Sequence, residues 1–439
     1  MMQLSRLGDS AIALVAVALL AGCGSVGTGT TGALPLSETH DARLPNDVSA
    51  QSLNKSGFRS IFSFDGTDGA IPEAALTKVN GALYGTTEGG GASGVGVVFK
   101  ISSNGTEHVL YNFKGKPDGA NPEAGLLNLK GNLYGTTSSG GANNTGTVFE
   151  ITASGAEKVL HSFGEITGSS GDGIEPAAGL IAVKGDLYGT TPYGGAWGYG
   201  TVFKMTASES ESVLYSFQGS PDGANPSAGL TYLNGSFYGV TAFGGKDTKF
   251  CIHSRYGATG CGTVFAVTAS GTETVIHDFI ASTGDGIRPL GTLLAWGGVL
   301  YGTTYTLGPN LRGTVFSITT SGNENILYGF SDKSGGGNPA AGVIDVKGTL
   351  YGTTVYGPGT YCSPSGDGCG TVFALTLSGQ ETTLKGFYNY SEGAFPRGGL
   401  TDFKGKLYGT TQLGGGGGST CTNGSGPVGC GTVFRVSPL

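Results

Sequence analysis

Apolar positions along this chain come in short clusters separated by turn residues. Around the second quarter of the sequence the clusters occupy residues 124–129, 133–137, 147–152 and 158–163, with Lys130-Gly131, a Gly-rich stretch and Ser154-Gly155 between them. Short apolar runs bounded by Gly and Ser read as strands joined by turns, so this segment predicts four short antiparallel strands. Runs such as VLYNF (109–113) and TVFEIT (147–152) are apolar almost throughout. A strand with one wet face would alternate, so these suit sheets covered on both faces by neighbouring sheets.

The unit recurs. LYGTT or a close variant begins at Leu83, Leu133, Leu187, Phe237, Leu300, Leu350 and Leu407, and each copy is followed by GTVF or GVVF, beginning at Gly96, Gly146, Gly200, Gly262, Gly313, Gly370 and Gly431. Self-similarity at such a period is the mark of stacked or radial repeats, and four-stranded units packed radially are the blades of a propeller. A fourth-strand pattern, (L/I)xxF, starts at Ile61, Leu110, Leu160, Leu214, Ile276, Leu327 and Leu384. The first of these lies ahead of the first copy, and the last copy stops after its third strand. The expectation is therefore an all-β, seven-bladed β-propeller over residues 58–439, built of four-stranded antiparallel blades and closed by the N-terminal strand (58–64) joining the last blade. Such closure leaves no large unpaired edge.

Strand parity sorts the loops. Loops from strand two to three and linkers between blades fall on one face, and minimal hairpin turns such as Asn80-Gly81 and Lys130-Gly131 on the other. The linkers carry DGxxP at Asp68, Asp118, Asp172, Asp222 and Asp285, replaced by Gly335 and Glu392 in the last two copies. Asp bonds its own backbone and Gly takes positive φ, so a turn is favoured over a calcium-binding ring. The loop after LYGTT is longer in copies four, six and seven, and those insertions hold Cys251 with Cys261, Cys362 with Cys369, and Cys421 with Cys430. Six cysteines paired within single loops of an exported chain predict three local disulfides. No CxxC spacing accompanies His253, so no metal or cofactor is expected. The same face gathers candidate ligand-binding aromatics: Tyr193, Trp197, Tyr199, Phe243, Tyr256, Tyr305, Tyr356 and Tyr361. They suit stacking on a glycan or a protein interface, and equally packing over the blade tops.

Composition narrows the function classes. The chain has 85 glycines in 439 residues, 13% charged residues and a net charge of −7. Glycines at fixed offsets argue for order, and the acidic balance argues against a nucleic-acid partner. The N-terminus carries an apolar run at 11–20 and then Leu20-Ala21-Gly22-Cys23. That run is too short to span a bilayer but suits a secretory signal. Leu-Ala-Gly-Cys resembles a bacterial lipobox, which implies a lipoprotein signal peptide over 1–22, lipidation of Cys23, membrane contact through that anchor alone, and, with Gly24 next, an outer-membrane address. Residues 23–57, rich in Gly, Ser and Thr, read as a flexible tether. There is no GxSxG elbow, HExxH or phosphate loop, so no catalytic residue is assigned. His108, His161 and His277, in or beside fourth strands, read as blade packing.

The repeat GxLYGTTxxGGxxxxGTVF, preceded by DGxxP and followed by LYxF, resembles the choice-of-anchor tandem repeat proteins of the GloVer type over residues 58–439. Departures are Val97 and Val240 for Thr, and Gly335 and Glu392 for Asp. The resemblance implies surface anchoring and carries no activity. The expected function is a lipid-anchored cell-surface scaffold binding a protein or glycan through its loop-rich face. The alternatives are an extracellular polysaccharide hydrolase or lyase with carboxylates near the axis, and a purely structural envelope protein.

Overall fold

The computed structural model describes residues 57–439 except 165–170, 247–250, 252–256, 332–334, 359–361, 363–365, 417–420 and 423–427. Cys23, the signal segment, nearly all of the tether, Tyr256 and Tyr361 lie outside the described residues. The described chain forms seven antiparallel blades of four strands each, the fifth also taking in Ile287–Pro289 of its linker, with three two-stranded ribbons at other linkers. In the second blade, Leu127–Leu129, Asn132–Thr137, Thr147–Ile151 and Glu157–Ser162 pair in chain order. The innermost strand is shorter than the apolar run 124–129 suggests. The reason is local: Thr86 of the preceding blade donates to the Ala124 carbonyl at 2.8 Å, tying that backbone to a neighbour instead of to its own ladder.

Each position of LYGTT has a task. Leu133 and Leu83 are buried. A Cβ on Gly135 would come within 2.5 Å of the Phe149 ring, so glycine lets the GTVF phenylalanine lie flat across the strand, and Gly85 meets Phe99 in the same way. The first threonine joins blades, as in Thr136 to the Ala178 carbonyl, Thr190 to Ala228 and, across the ring closure, Thr410 to Ala74. The second bridges strands two and three, as in Thr137 to Thr147 and Thr191 to Thr201, each at 2.8 Å. Val240 and Val97 each give up one of these two bonds and are buried instead.

Between blades, the phenylalanine ending each fourth strand meets the GTVF phenylalanine of the next blade edge to face. The pairs are Phe64–Phe99, Phe113–Phe149, Phe163–Phe203, Phe217–Phe265, Phe279–Phe316, Phe330–Phe373 and Phe387–Phe434, with centroids 4.9–5.3 Å apart. The seventh sheet is completed by Arg59–Ser63 against Thr432–Val436. Its register, Ser63 to Thr432, Phe62 to Val433 and Ser60 to Phe434, repeats Ser162 to Thr147, His161 to Val148 and Val159 to Phe149, bulge included. The ring is thus closed by a strand from the opposite end of the chain.

Candidate functional site

Every linker pairs with the segment after strand two of the blade it enters: Gly119 with Gly140, Gly173 with Gly194, Gly223 with Gly244, and Ala394 with Leu413. Linkers and strand-two loops therefore share one face, as parity requires. Asp118 holds its turn by accepting from the Gly119 and Lys114 amides, and Asp222 does the same with Gly223 and Gln218.

The second x of DGxxP is left-handed in all seven linkers, with φ of 56–61° at Ile71, Asn121, Glu175, Asn225, Arg288, Asn338 and Phe395. Its amide donates to the residue before GTVF in the preceding blade, as in Asn121 to Val95 and Arg288 to Cys261. Asparagine tolerates this conformation, and Asn121, Asn225 and Asn338 add a side-chain bond to the carbonyls of Glu88, Pro192 and Tyr305. Ile71, Arg288 and Phe395 have no such amide. Their acceptors are Cys430, Cys261 and Cys369, one cysteine of each of the three disulfides. Three of the four linkers that lack the asparagine are thus braced by a disulfide; the fourth, at Glu175, donates to the Thr145 carbonyl instead.

The residue after the proline lies just ahead of an innermost strand, next to the axis. One or two positions further on, Ala75, Ala341 and Gly399 of three blades crowd together, a Cβ on Gly399 falling 3.7 Å from Ala75 and 3.8 Å from Ala341. Above them Glu73, Glu123 and Arg397 follow their prolines, while Glu88, Ser138 and Gln412 follow LYGTT. The Arg397 Nε lies 3.1 Å from the Gln412 amide oxygen and 3.7 Å from Glu73, and Ser138 donates to Glu123 at 2.7 Å. Burial, then the carboxylates of Glu73 and Glu123, push Glu88 up to about 8, against the pull of Arg397. Burial raises Glu123 to about 7, against the Ser138 bond, and raises Glu73 against Arg397. Near neutrality this mouth holds carboxyls poised between acid and base, the condition for proton transfer.

Around the ring sits a cation with no carboxylate partner among the described residues. Arg288 lies 5.5 Å from the Phe243 ring centroid and 5.6 Å from that of Tyr305, and its Nε is sealed without an acceptor among the described residues. Burial lowers its pKa and lifts the Tyr305 hydroxyl to about 12. Phe243 and Tyr305 are thus buried walls of an arginine slot. Tyr356 packs edge-on to Phe395, Tyr199 is half-buried beside Phe243, and Tyr193 pairs with Ile174. Trp197 projects, 61% exposed.

His161 and His277 occupy one position of their fourth strands, opposite Val148 and Val264. His108 does not: it stands opposite Lys100, in the register of Lys158, and is exposed, so it is no packing residue. Sequence reasoning also passed over Glu73, Glu88, Glu123, Arg288 and Arg397. Their signal was a charged residue at an offset where other copies carry small or polar ones.

These features define a repeat-built, seven-bladed propeller with a charged axial mouth on its loop-rich face. Residues 48–253 and 247–439 match the family model of the Gloeobacter/Verrucomicrobia repeat, and the chain belongs to that family. No curated protein matches it in sequence. Among solved structures it is similar to a gluconolactonase from Xanthomonas campestris, at 12% identity and TM-score 0.38, covering 67% of this chain and 82% of that one. It is also similar to a luciferin-regenerating enzyme, at 11% identity and TM-score 0.41, covering 86% and 94%. At these scores the likenesses carry no argument about ligand or reaction.

Proposed function

We propose that the protein is an exported, lipid-anchored propeller that binds an extracellular protein or glycan over the axial mouth of its loop-rich face. The carrying observation is convergence on that face of Trp197, the disulfide-braced insertions, the mouth with Glu88, Glu123 and Arg397, and the Arg288 slot beside it. The braces reduce the ordering cost of binding, and a polar mouth of both charge signs suits a hydroxyl-rich or charged ligand. Cys23 supplies the anchor and the tether holds the domain off the membrane. Cys23→Ser is expected to move the protein out of the membrane fraction and end incorporation of labelled lipid, leaving the fold unchanged. Trp197→Ala is expected to weaken capture of surface ligands by roughly 1–4 kcal/mol with no change in melting temperature. Binding that survives this change and is lost on altering Lys130 and Lys347, on the opposite turns, would place the working face on the wrong side.

A second reading rests on one observation, the raised Glu88 and Glu123, both buried and both within the field of Glu73. In a polysaccharide hydrolase or lyase, Glu88 is the group that carries a proton at neutral pH. New reducing or unsaturated ends from a polysaccharide panel, lost in Glu88→Gln, are the expected result of that reading, and their absence from the whole panel favours binding alone.

A further inference from the structure

In the first, third and sixth blades the fifth residue of the fourth strand bonds the acid of the following linker. Tyr111 donates to Asp118 at 2.9 Å and to Glu157 of the next blade at 3.3 Å, and Tyr215 donates to Asp222 at 2.8 Å. In the sixth blade the pair is Lys385 with Glu392, at 2.8 Å. One hydroxyl or ammonium thereby settles the acid beside it. The second blade differs. His161 Nε2 lies 3.3 Å from Asp172 Oδ2, and the ligand atoms of His161, Asp172 and Glu211 all lie within 4.8 Å of one another. The Oε1 of Glu211 is sealed from solvent without a partner among the described residues, as are the matching oxygens of Glu107, Glu157, Glu273 and Glu324, but among the described residues only Glu211 has a histidine and a carboxylate gathered around it in this way.

We propose that His161, Asp172 and Glu211 form a binding site for a divalent transition ion of the zinc type, stapling the outer edges of the second and third blades. One imidazole nitrogen and two carboxylates are a three-ligand set of that class, leaving a fourth position for water. Calcium, which takes six to eight oxygens, does not suit it. The surroundings orient the ligands: Gly173 donates to Asp172 Oδ1 at 2.7 Å, turning Oδ2 toward the histidine, and Phe163 holds the imidazole edge to face at 4.8 Å. The ligands come from three separate stretches, which is why no local motif announces them. His277 faces Asp285 more loosely, at 3.6 Å, and forms no comparable three-residue group among the described residues.

The test uses the full chain, stripped with chelator and titrated with Co2+ and then Zn2+. We expect saturable Co2+ binding with visible absorption of a four-coordinate site, displacement by Zn2+, and a Zn2+-dependent rise in melting temperature. His161→Tyr installs the residue native to this position in the first and third blades, so it keeps the fold; it is expected to weaken binding at least 100-fold and abolish the Zn2+ shift. Glu211→Gln, which retains shape, is expected to weaken binding at least 10-fold. Absence of saturable binding, or binding and absorption unchanged in His161→Tyr, would overturn the proposal.

Discussion

Phe64 measures what closure of the ring contributes. It is fully buried, yet it belongs to a strand joined to the last blade by no covalent neighbour. Its ring sits 5.1 Å from Phe99 and 5.0 Å from Phe62, and its amide donates to the Gly431 carbonyl at 3.0 Å. Phe217 occupies the matching place inside the chain, also fully buried, 4.9 Å from Phe265. Truncating a buried phenylalanine costs about 3–5 kcal/mol, so Phe64→Ala and Phe217→Ala are expected to destabilise alike. Deleting 58–64 also removes Phe58, Ile61 and Phe62, each half-buried and adding on the order of 1 kcal/mol. The sum, about 6–8 kcal/mol, approaches the whole stability of an ordinary domain, whereas deleting 24–54 is expected to cost almost nothing. Urea midpoints of the four variants decide the matter. If Phe64→Ala costs less than about 1 kcal/mol while Phe217→Ala costs several, or if both deletions unfold together with the parent, the N-terminal strand does not hold the ring.

Three further outcomes follow from the geometry. Burial, and then the linker aspartates, raise Glu107, Glu157 and Glu324 to about 7 and Glu273 to about 8. Folded values above the unfolded 4.5 mean that their contribution is complete below pH 4.5 and is lost as pH rises through 7–8, so melting temperature should fall between about pH 5 and 8 and level off above. Glu273→Gln should flatten that slope, and a melting temperature that climbs over the interval contradicts the argument. Gly135→Ala, which sets a Cβ 2.5 Å from the Phe149 ring, should cost about 1–3 kcal/mol in thermal unfolding, whereas Gly131→Ala meets no atom and pays only for its φ of 93°. Replacing Cys251 and Cys261 by alanine should lower stability, and adding Arg288→Asn should recover part of the loss by restoring the asparagine brace; no recovery in calorimetry would separate the two devices.

Much of this architecture was legible because it is repeated. Leu133, Gly135, Thr136 and Phe149 meet the same neighbours in each blade, so strand order, the face shared by linkers and insertions, the three disulfides and the completing strand at 58–64 could be read from spacing alone. The unrepeated residues could not. Glu73, Glu88, Glu123 and Arg397 are ordinary loop charges in sequence, and they become a coupled mouth because consecutive blades turn the same offset toward one axis. Arg288 gains its aromatic slot, and His161 its two carboxylates, from segments far apart in the chain. The repeat specifies each blade locally, through hydrogen bonds and packing within about 50 residues. Closing seven such blades into a ring is what brings their differences within reach of one another.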